Sequence, residues 1–390
     1  MRRISLLALW PLLVIACLVA PTSPALAKKP ATGFADRLFF SPDADVRDRW
    51  LERSKQAGGS YVRLGLSWRD VAPNRPAAPR SPVDPAYSFG GLDTAVRSAR
   101  ARGLRVFVNI SNAPDWAEGS NRPSSAPPGT WKPDPGSLGD FAHAVASRYS
   151  GKTLDIPRIQ ALQAWNEPNL STNLTPQYQG KKLESAQYYR RMLNAFYAGV
   201  KSANRKTKVI TGGTAPYGDP AGGSRTRPLT FWRKVFCLRG GQRKLKPARC
   251  PTKPKLDILA HHPINTSGGP KRSAVNPNDA STPDFGQIRR ILRAAERGKN
   301  VAPGGRHGLW ATELWWDTRP PSQSGVSLKQ QARYYRKALP LLARQGAQVV
   351  VGLLIRDSND NVNERGFSSG LYKANGKAKP SLRAWRSGSR

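Results

Sequence analysis

Cysteine, histidine and negative charge are all scarce in this sequence of 390 residues. There are four histidines, none near the cysteines at 237 and 250, so a zinc site of mixed Cys and His ligands is a poor expectation. Neither a metal nor an organic cofactor is implied. No glycine-rich phosphate turn follows the first predicted strand, which argues against a doubly wound nucleotide-binding sheet. No internal repeat of fixed period is present. After residue 27 no stretch is long and apolar enough to span a bilayer. Acidic side chains number 25 against 63 lysines and arginines, a formal charge of +38. Such an excess attracts polyanions. No nucleic-acid recognition motif accompanies it, so no specific nucleic acid is expected as a partner. An acidic polysaccharide, or loose association with an anionic cell envelope, fits the charge better. Arginine spread over solvated faces accounts for it equally well. One region is concentrated: from Arg233 to Lys255 there are nine basic residues and no acidic one.

What is present begins with a leader. Arg2 and Arg3 precede an apolar stretch from Ser5 to Ala20, and Ala25-Leu26-Ala27 has the small-x-small form of a cleavage site. Residues 1–27 read as a secretory signal peptide, and 28–390 as one catalytic domain. Pro11 and the shortness of the run disfavour a membrane anchor. Lipid attachment at Cys17, in the lipobox-like Val14-Ile15-Ala16-Cys17, is the less favoured alternative. An extracellular, monomeric protein is expected. Once the leader is removed, Cys237 and Cys250 remain, and outside the cytosol such a pair reads as a disulfide. In the loop-entropy model it contributes ~3 kcal/mol.

Short β-rich segments then alternate with helix-patterned ones. Strands are expected at 37–40 (RLFF), 60–68, 104–111, 161–170, 208–213, 256–262, 308–316 and 348–355. Helices are expected at 45–58, 91–103, 138–151, 183–203, 285–298, 327–346 and 380–386, with a kink at Pro340. Eight strands joined by crossover helices predict an α/β fold, a (β/α)8 TIM barrel. Loops at 114–136, 214–230, 238–255 and 263–284 are rich in Pro and Gly and are expected to build the site at the strands' C-terminal end.

In "ALQAWNEPNL", residues 161–170, a buried-looking strand ends on Trp165, Asn166 and Glu167 before Pro168. Proline disfavours helical geometry in the residue before it, so Glu167 is expected extended, its carboxyl aimed into the mouth. Partial burial beside Trp165 would keep it protonated, and Asn166 is placed to bond a sugar 2-hydroxyl. Glu313, in "ATELWW", ends the seventh strand. Two carboxylates facing each other across a barrel mouth are what cleavage of a glycosidic bond needs. One protonates the leaving oxygen and the other attacks the anomeric carbon. An ordinary surface charge is the competing account of either residue.

"WNEPN" at 165–169 resembles the acid/base motif of the large clan of retaining glycoside hydrolases built on (β/α)8 barrels. The resemblance is nearest to the β-xylosidase and exopolysaccharide-endoglycosidase type, family thirty-nine, with the cellulase-like family five as neighbour. It spans about residues 34–390. The resemblance implies Glu167 as acid/base, Glu313 as nucleophile and a covalent glycosyl-enzyme intermediate on a poly- or oligosaccharide. Arg63 resembles the clan arginine that supports the nucleophile, and His262 the clan's site histidine; from the residues alone, His261 and His262 are not ranked. Ile264 stands where the clan often has a tyrosine contacting the nucleophile, with Tyr217 as a substitute. Leu353, Leu354 and Ile355 stand where it usually has an aromatic. Trp68, Trp116, Trp315 and Trp316 follow strands and are candidates for stacking on sugar rings, about half of them being expected to touch ligand. Alternation along a strand would send Trp315 and Trp316 opposite ways. Asn109 is a candidate sugar contact. Secreted polysaccharide degradation is thus the expected activity. A barrel that binds carbohydrate without catalysis, and a basic envelope-associated scaffold, are the alternatives.

Overall fold

A computed structural model describes residues 29–152, 154–242, 244–265, 268–358 and 367–389. The expected leader, with Cys17, lies outside the described residues. Eight parallel strands close into one barrel. They are β1 (Ala31–Ala35), β2 (Gly59–Ser67), β3 (Arg105–Ser111), β4 (Ala161–Ala164), β5 (Lys208–Thr211), β6 (Ile258–His261), β7 (Gly308–Leu314) and β8 (Val349–Leu353). Each pairs with its neighbours in chain order, and β8 returns to β1. The outer helices are α1 (Ala44–Gln56), α2 (Gly90–Ala101), α3 (Pro135–Arg148), α4 (Ser185–Ala203), α5 (Pro228–Val235), α6 (Phe285–Arg297), α7 (Leu328–Arg344) and α8 (Pro380–Ser389). Side-chain caps start several of them: Asp43 accepts from Asp45 and Val46, Asp134 from Ser137, and Ser327 from Gln330. α7 continues through Pro340. Among the described residues no helix is long and apolar enough to cross a membrane.

The first strand is not where the sequence suggests. RLFF is a 3-10 turn capped by Asp36, whose side chain accepts from the Leu38 amide. The strand is the preceding ATGFA, which carries few β-favouring residues. Gly33 is there because β1 and β2 approach too closely for a Cβ, which would collide with the Tyr61 carbonyl.

Alternation along the strands separates two apolar regions. Val62, Leu64, Val106, Val108 and Leu162 face out and pack beneath the helices. Tyr61, Phe107, Ala161, Ile210, Ile258, Trp310 and Val349 face in and plug the barrel. The rings of Tyr61, Phe107 and Trp310 meet edge to face, with centroids 5.3–6.4 Å apart. Two residues further along the same strands the inward positions are polar: Arg63, Asn109, Gln163 and Thr312. An apolar plug thus carries a polar layer at the C-terminal end.

The disulfide forms between Cys237 and Cys250, with Cα atoms 5.4 Å apart. It staples a short hairpin, Leu238–Arg239 paired with Lys246–Pro247. This segment joins α5 to the start of β6, so it lies at the strands' N-terminal end. The expectation that 238–255 helps to build the site is therefore wrong. A Pro- and Gly-rich loop looks alike at either end of a barrel, and only the intervening helix α5, too short to be clear in the sequence, reverses the chain.

Candidate active site

Arg63 is the hub of the polar layer. It projects inward from β2 and is 7% exposed. Its Nε donates to Gln163 Oε1 at 3.1 Å, and Nη1 to Glu313 Oε1 at 2.6 Å. Nη2 donates to Asn109 Oδ1 at 3.2 Å and to Asn166 Oδ1 at 2.9 Å. One planar fork so ties β2, β3, β4 and β7 together, a geometry that lysine cannot reproduce.

Glu313 reaches this fork because β7 bulges. Ala311 pairs with Val350 but Leu314 with Gly352, so three steps on β7 oppose two on β8. The extra residue turns Thr312 and Glu313 both inward, where strict alternation would send one of them out. Burial pushes the Glu313 carboxyl upward. The His262 ring and the charge and hydrogen bond of Arg63 outweigh burial and hold it below the ordinary glutamate value of 4.5.

Glu167 stands opposite. Its backbone is not extended: φ is 37° at Glu167 and 76° at Trp165, both in the left-handed region. Pro168 removes the right-handed helical option, and three hydrogen bonds hold what remains. The Glu167 amide donates to Gly213 O at 2.9 Å, Leu170 N donates to Glu167 O at 3.0 Å, and Asn109 Nδ2 donates to Trp165 O at 2.8 Å. Two non-glycine residues in this region cost of order 1–3 kcal/mol each, a strain typical of sites where geometry matters more than stability. Trp165 does not shield Glu167. Its indole packs in the outer core and donates to the Asn173 carbonyl at 2.7 Å.

His262 lies between the two acids. Its Nδ1 is 2.8 Å from Glu167 Oε1 and 3.6 Å from Glu313 Oε2. Its Nε2 is 3.1 Å from Thr312 Oγ1. Gln163 fixes the proton. Its Oε1 is taken by Arg63, so its amide donates to Thr211 O and, at 3.3 Å, to Thr312 Oγ1. When the ring is neutral, the Thr312 hydroxyl proton is directed to His262 Nε2, leaving Nδ1–H to donate to Glu167. Gly213 keeps this space open, because a Cβ there would collide with His262 Nε2. His261 turns the other way, between Thr214 Oγ1 and the Ala280 carbonyl, and burial pushes its pKa down to about 3. Alternation at the end of β6 thus separates the two histidines that the sequence alone does not rank.

One oxygen of each glutamate and a His262 nitrogen all lie within 4.8 Å of one another. A trio of this kind is able to ligate a divalent ion. Here the Arg63 guanidinium already holds Glu313, and a second cation would compete with it.

Several predicted contacts are support or packing instead. Asn109 spends its carbonyl on Arg63 and its amide on Trp165, so it orients the site from below. Trp68 is fully buried, stacked on Phe141 with centroids 5.4 Å apart. Trp316 is buried edge-on against Tyr334 and Tyr335. Trp116 lies between Trp68 and Arg75 and donates to Ala72 O. Packing demand at the barrel rim consumes these rings, which sequence position cannot reveal. Tyr217 gives its hydroxyl to the Ile264 carbonyl at 3.2 Å. Trp315 is half-buried, 5.6 Å from the Phe367 ring. Phe367 borders a cavity of about 710 Å³ at the ends of β1, β2 and β8, lined also by Arg63, Leu353 and Leu354. Gln163, Thr312 and Gly213 were not anticipated. The inward parity of Gln163 with Glu167's strand was the one available signal.

No family model matches the sequence. A probable glucan 1,3-beta-glucosidase A from Aspergillus clavatus is 32% identical over 118 residues, 30% of this chain and 26% of that protein. The chain therefore matches about a quarter of that curated relative. Among solved structures, a family 39 glycoside hydrolase from the gut symbiont Bacteroides cellulosilyticus superposes with a TM-score of 0.61 at 17% identity, covering 93% of this chain and 64% of that one. The fold is the barrel those hydrolases use. A glucosidase from Croceicoccus marinus gives 0.60 at 14% identity, covering 93% and 67%. A GH5_18 structure from Streptomyces cattleya in complex with GlcNAc gives 0.58 at 16%, covering 93% and 80%.

Proposed function

We propose that this protein is a secreted retaining glycoside hydrolase acting by double displacement. Glu167 protonates the leaving oxygen and Glu313 attacks the anomeric carbon; Glu167 then activates water to release the sugar. The observation that carries this reading is the pair of glutamate oxygens within 4.8 Å of each other. That spacing suits the ~5–5.5 Å carboxyl separation of retaining enzymes, not the ~6.5–9.5 Å of inverting ones. Arg63 supports the nucleophile role, since it keeps Glu313 ionised and aimed. With the Asn166 carbonyl turned to Arg63, its amide NH2 is the donor offered to a substrate hydroxyl. The GlcNAc-bound and glucosidase neighbours and the glucosidase relative support a saccharide substrate, and the net charge of +38 favours an acidic one.

The test is a screen of aryl glycosides and of acidic and neutral glycans with wild type, Glu167→Gln and Glu313→Gly. Both variants lose turnover. Azide restores rate to Glu313→Gly on an activated substrate and yields a glycosyl azide of inverted configuration. Turnover surviving either substitution, or wild-type product of inverted configuration, overturns the assignment.

A further inference from the structure

We propose that the disulfide-stapled hairpin at the N-terminal end of the barrel is a docking surface for an acidic polysaccharide, remote from the glutamates. Choosing a polysaccharide rests on the glycosidase reading; the position and charge of the surface do not.

The hairpin has two faces. Leu238 is buried, and its partner Pro247, though exposed, lies against Gly298, so this face is turned toward the fold. On the other face Arg239 sits directly opposite Lys246, both exposed. Like charges paired across two strands destabilise a hairpin. Folding alone gives no reason to put them there. Lys244 and Arg249 are also exposed within the stapled loop. None of these four cations has a carboxylate within 4 Å among the described residues.

The surface is wider than the hairpin and is held rigid. Asn300 Nδ2 donates to the carbonyls of Phe236, Cys237 and Ala248, at 3.0 Å each, locking the turn before β7 onto it. Asn194 of α4 holds Lys253 O and Lys255 N. Lys255 also bridges Ala302. Exposed Lys255 and Lys299 thereby extend the same basic surface. Nearby acids are already matched: Asp257 by Lys201 and Lys208, Glu296 by Arg293 and His307.

The kind of polyanion follows from what accompanies the charge. The large exposed apolar side chains among the described residues are Val83, Leu154, Val275 and Phe367, none of them on the hairpin. An aromatic platform for stacking bases is therefore missing there, as is an apolar wedge for a lipid surface. Fixed cations without stacking groups suit a hydrated polymer carrying repeated carboxylates, held by charge alone.

The test measures binding of the full-length mature protein to immobilised polygalacturonate, with neutral dextran and double-stranded DNA as parallel arms. The triple variant Lys244→Glu, Lys246→Glu, Arg249→Glu is compared with Arg333→Glu, Arg336→Glu, Lys337→Glu, an equal charge change on exposed positions of α7. The hairpin variant should lose polygalacturonate affinity at least about tenfold and the α7 variant less than about twofold, with wild-type binding weakening as salt screens the charges. Melting temperature checks folding, and Lys→Gln and Arg→Gln exchanges at the same hairpin positions give a smaller loss in the same direction should the glutamates perturb it. Equal loss in both triple variants reduces the effect to net charge and overturns the proposal. So does unchanged binding by the hairpin variant, or tighter binding of DNA than of polygalacturonate. Glu313→Gln should dock like wild type. Docking without hydrolysis of any glycan sinks the catalytic reading alone; hydrolysis without docking sinks this one alone.

Discussion

Arg63 Nη1 lies 2.6 Å from Glu313 Oε1, joining a strand-two cation to a strand-seven carboxylate inside the barrel mouth. Both groups are largely withdrawn from water, with side-chain exposures of 7% and 13%. Breaking such a pair leaves an uncompensated charge, which typically costs ~3–5 kcal/mol. Arg63→Ala should therefore lose stability of that order in urea denaturation. The same substitution on a Glu313→Gln background should cost clearly less. Arg63→Lys keeps the charge but not the four acceptors, and kcat should fall roughly 10²–10³-fold, as for removal of one preorganised donor.

The depressed Glu313 carboxyl has a pH consequence. Its folded-state value lies below 4.5, so the folded protein binds fewer protons than the unfolded chain as the pH falls. The stabilisation is complete above the unfolded value and is lost as pH falls through the lower folded one. Urea unfolding of wild type and Glu313→Gln from neutral to acidic pH should show a stability difference that disappears at the acid end. The acid limb of kcat/KM should likewise lie below the ordinary glutamate value.

Thr312 sits between Gln163 and His262 and relays the proton assignment. Thr312→Val keeps the shape and removes the relay. The fraction of His262 carrying its proton on Nδ1 should drop, read by nitrogen NMR. Activity should fall by about a hundredfold or more, within the range for a positioned acid–base partner, with the fold retained. An unchanged tautomer would show that the threonine only packs.

Gly213 tolerates no Cβ without displacing His262. Gly213→Ala should destabilise by ~1–3 kcal/mol through overpacking and depress kcat more than it raises KM.

The disulfide closes a loop of sequence separation 13 at the end away from the glutamates. Cys237→Ser with Cys250→Ser should lower stability by ~2–4 kcal/mol while leaving kcat on a small aryl glycoside unchanged. A fall in kcat would place the hairpin in communication with the mouth.

Much of the architecture was legible because hydrophobic periodicity is local. β2 and β3, where Tyr61-Val62 and Val106-Phe107-Val108 lead into further apolar residues, stand out in the sequence. β1 did not, because its residues are chosen for close strand approach at Gly33 and not for β propensity. Glu167, Asn166 and Glu313 drew attention through their chemistry and position at strand ends. Gln163 and Thr312 did not, since an inward glutamine or threonine in a strand looks like any other. The tryptophans misled, because a ring that stacks on a sugar and a ring that stacks on Phe141 have the same sequence context.

The sequence by itself determined the alternation of strands and helices, the pairing of two cysteines and the presence of acids at two strand ends. These depend on side-chain periodicity, covalent chemistry and neighbours within a few positions. Only the tertiary structure decided which side each residue faces. The β7 bulge turned Glu313 inward, the left-handed turn at Glu167 faced it, and barrel closure brought Arg63 and His262 between strands distant in the chain. Those outcomes depend on strand register and on contacts made only when all eight strands are in place, and no local window of residues encodes them.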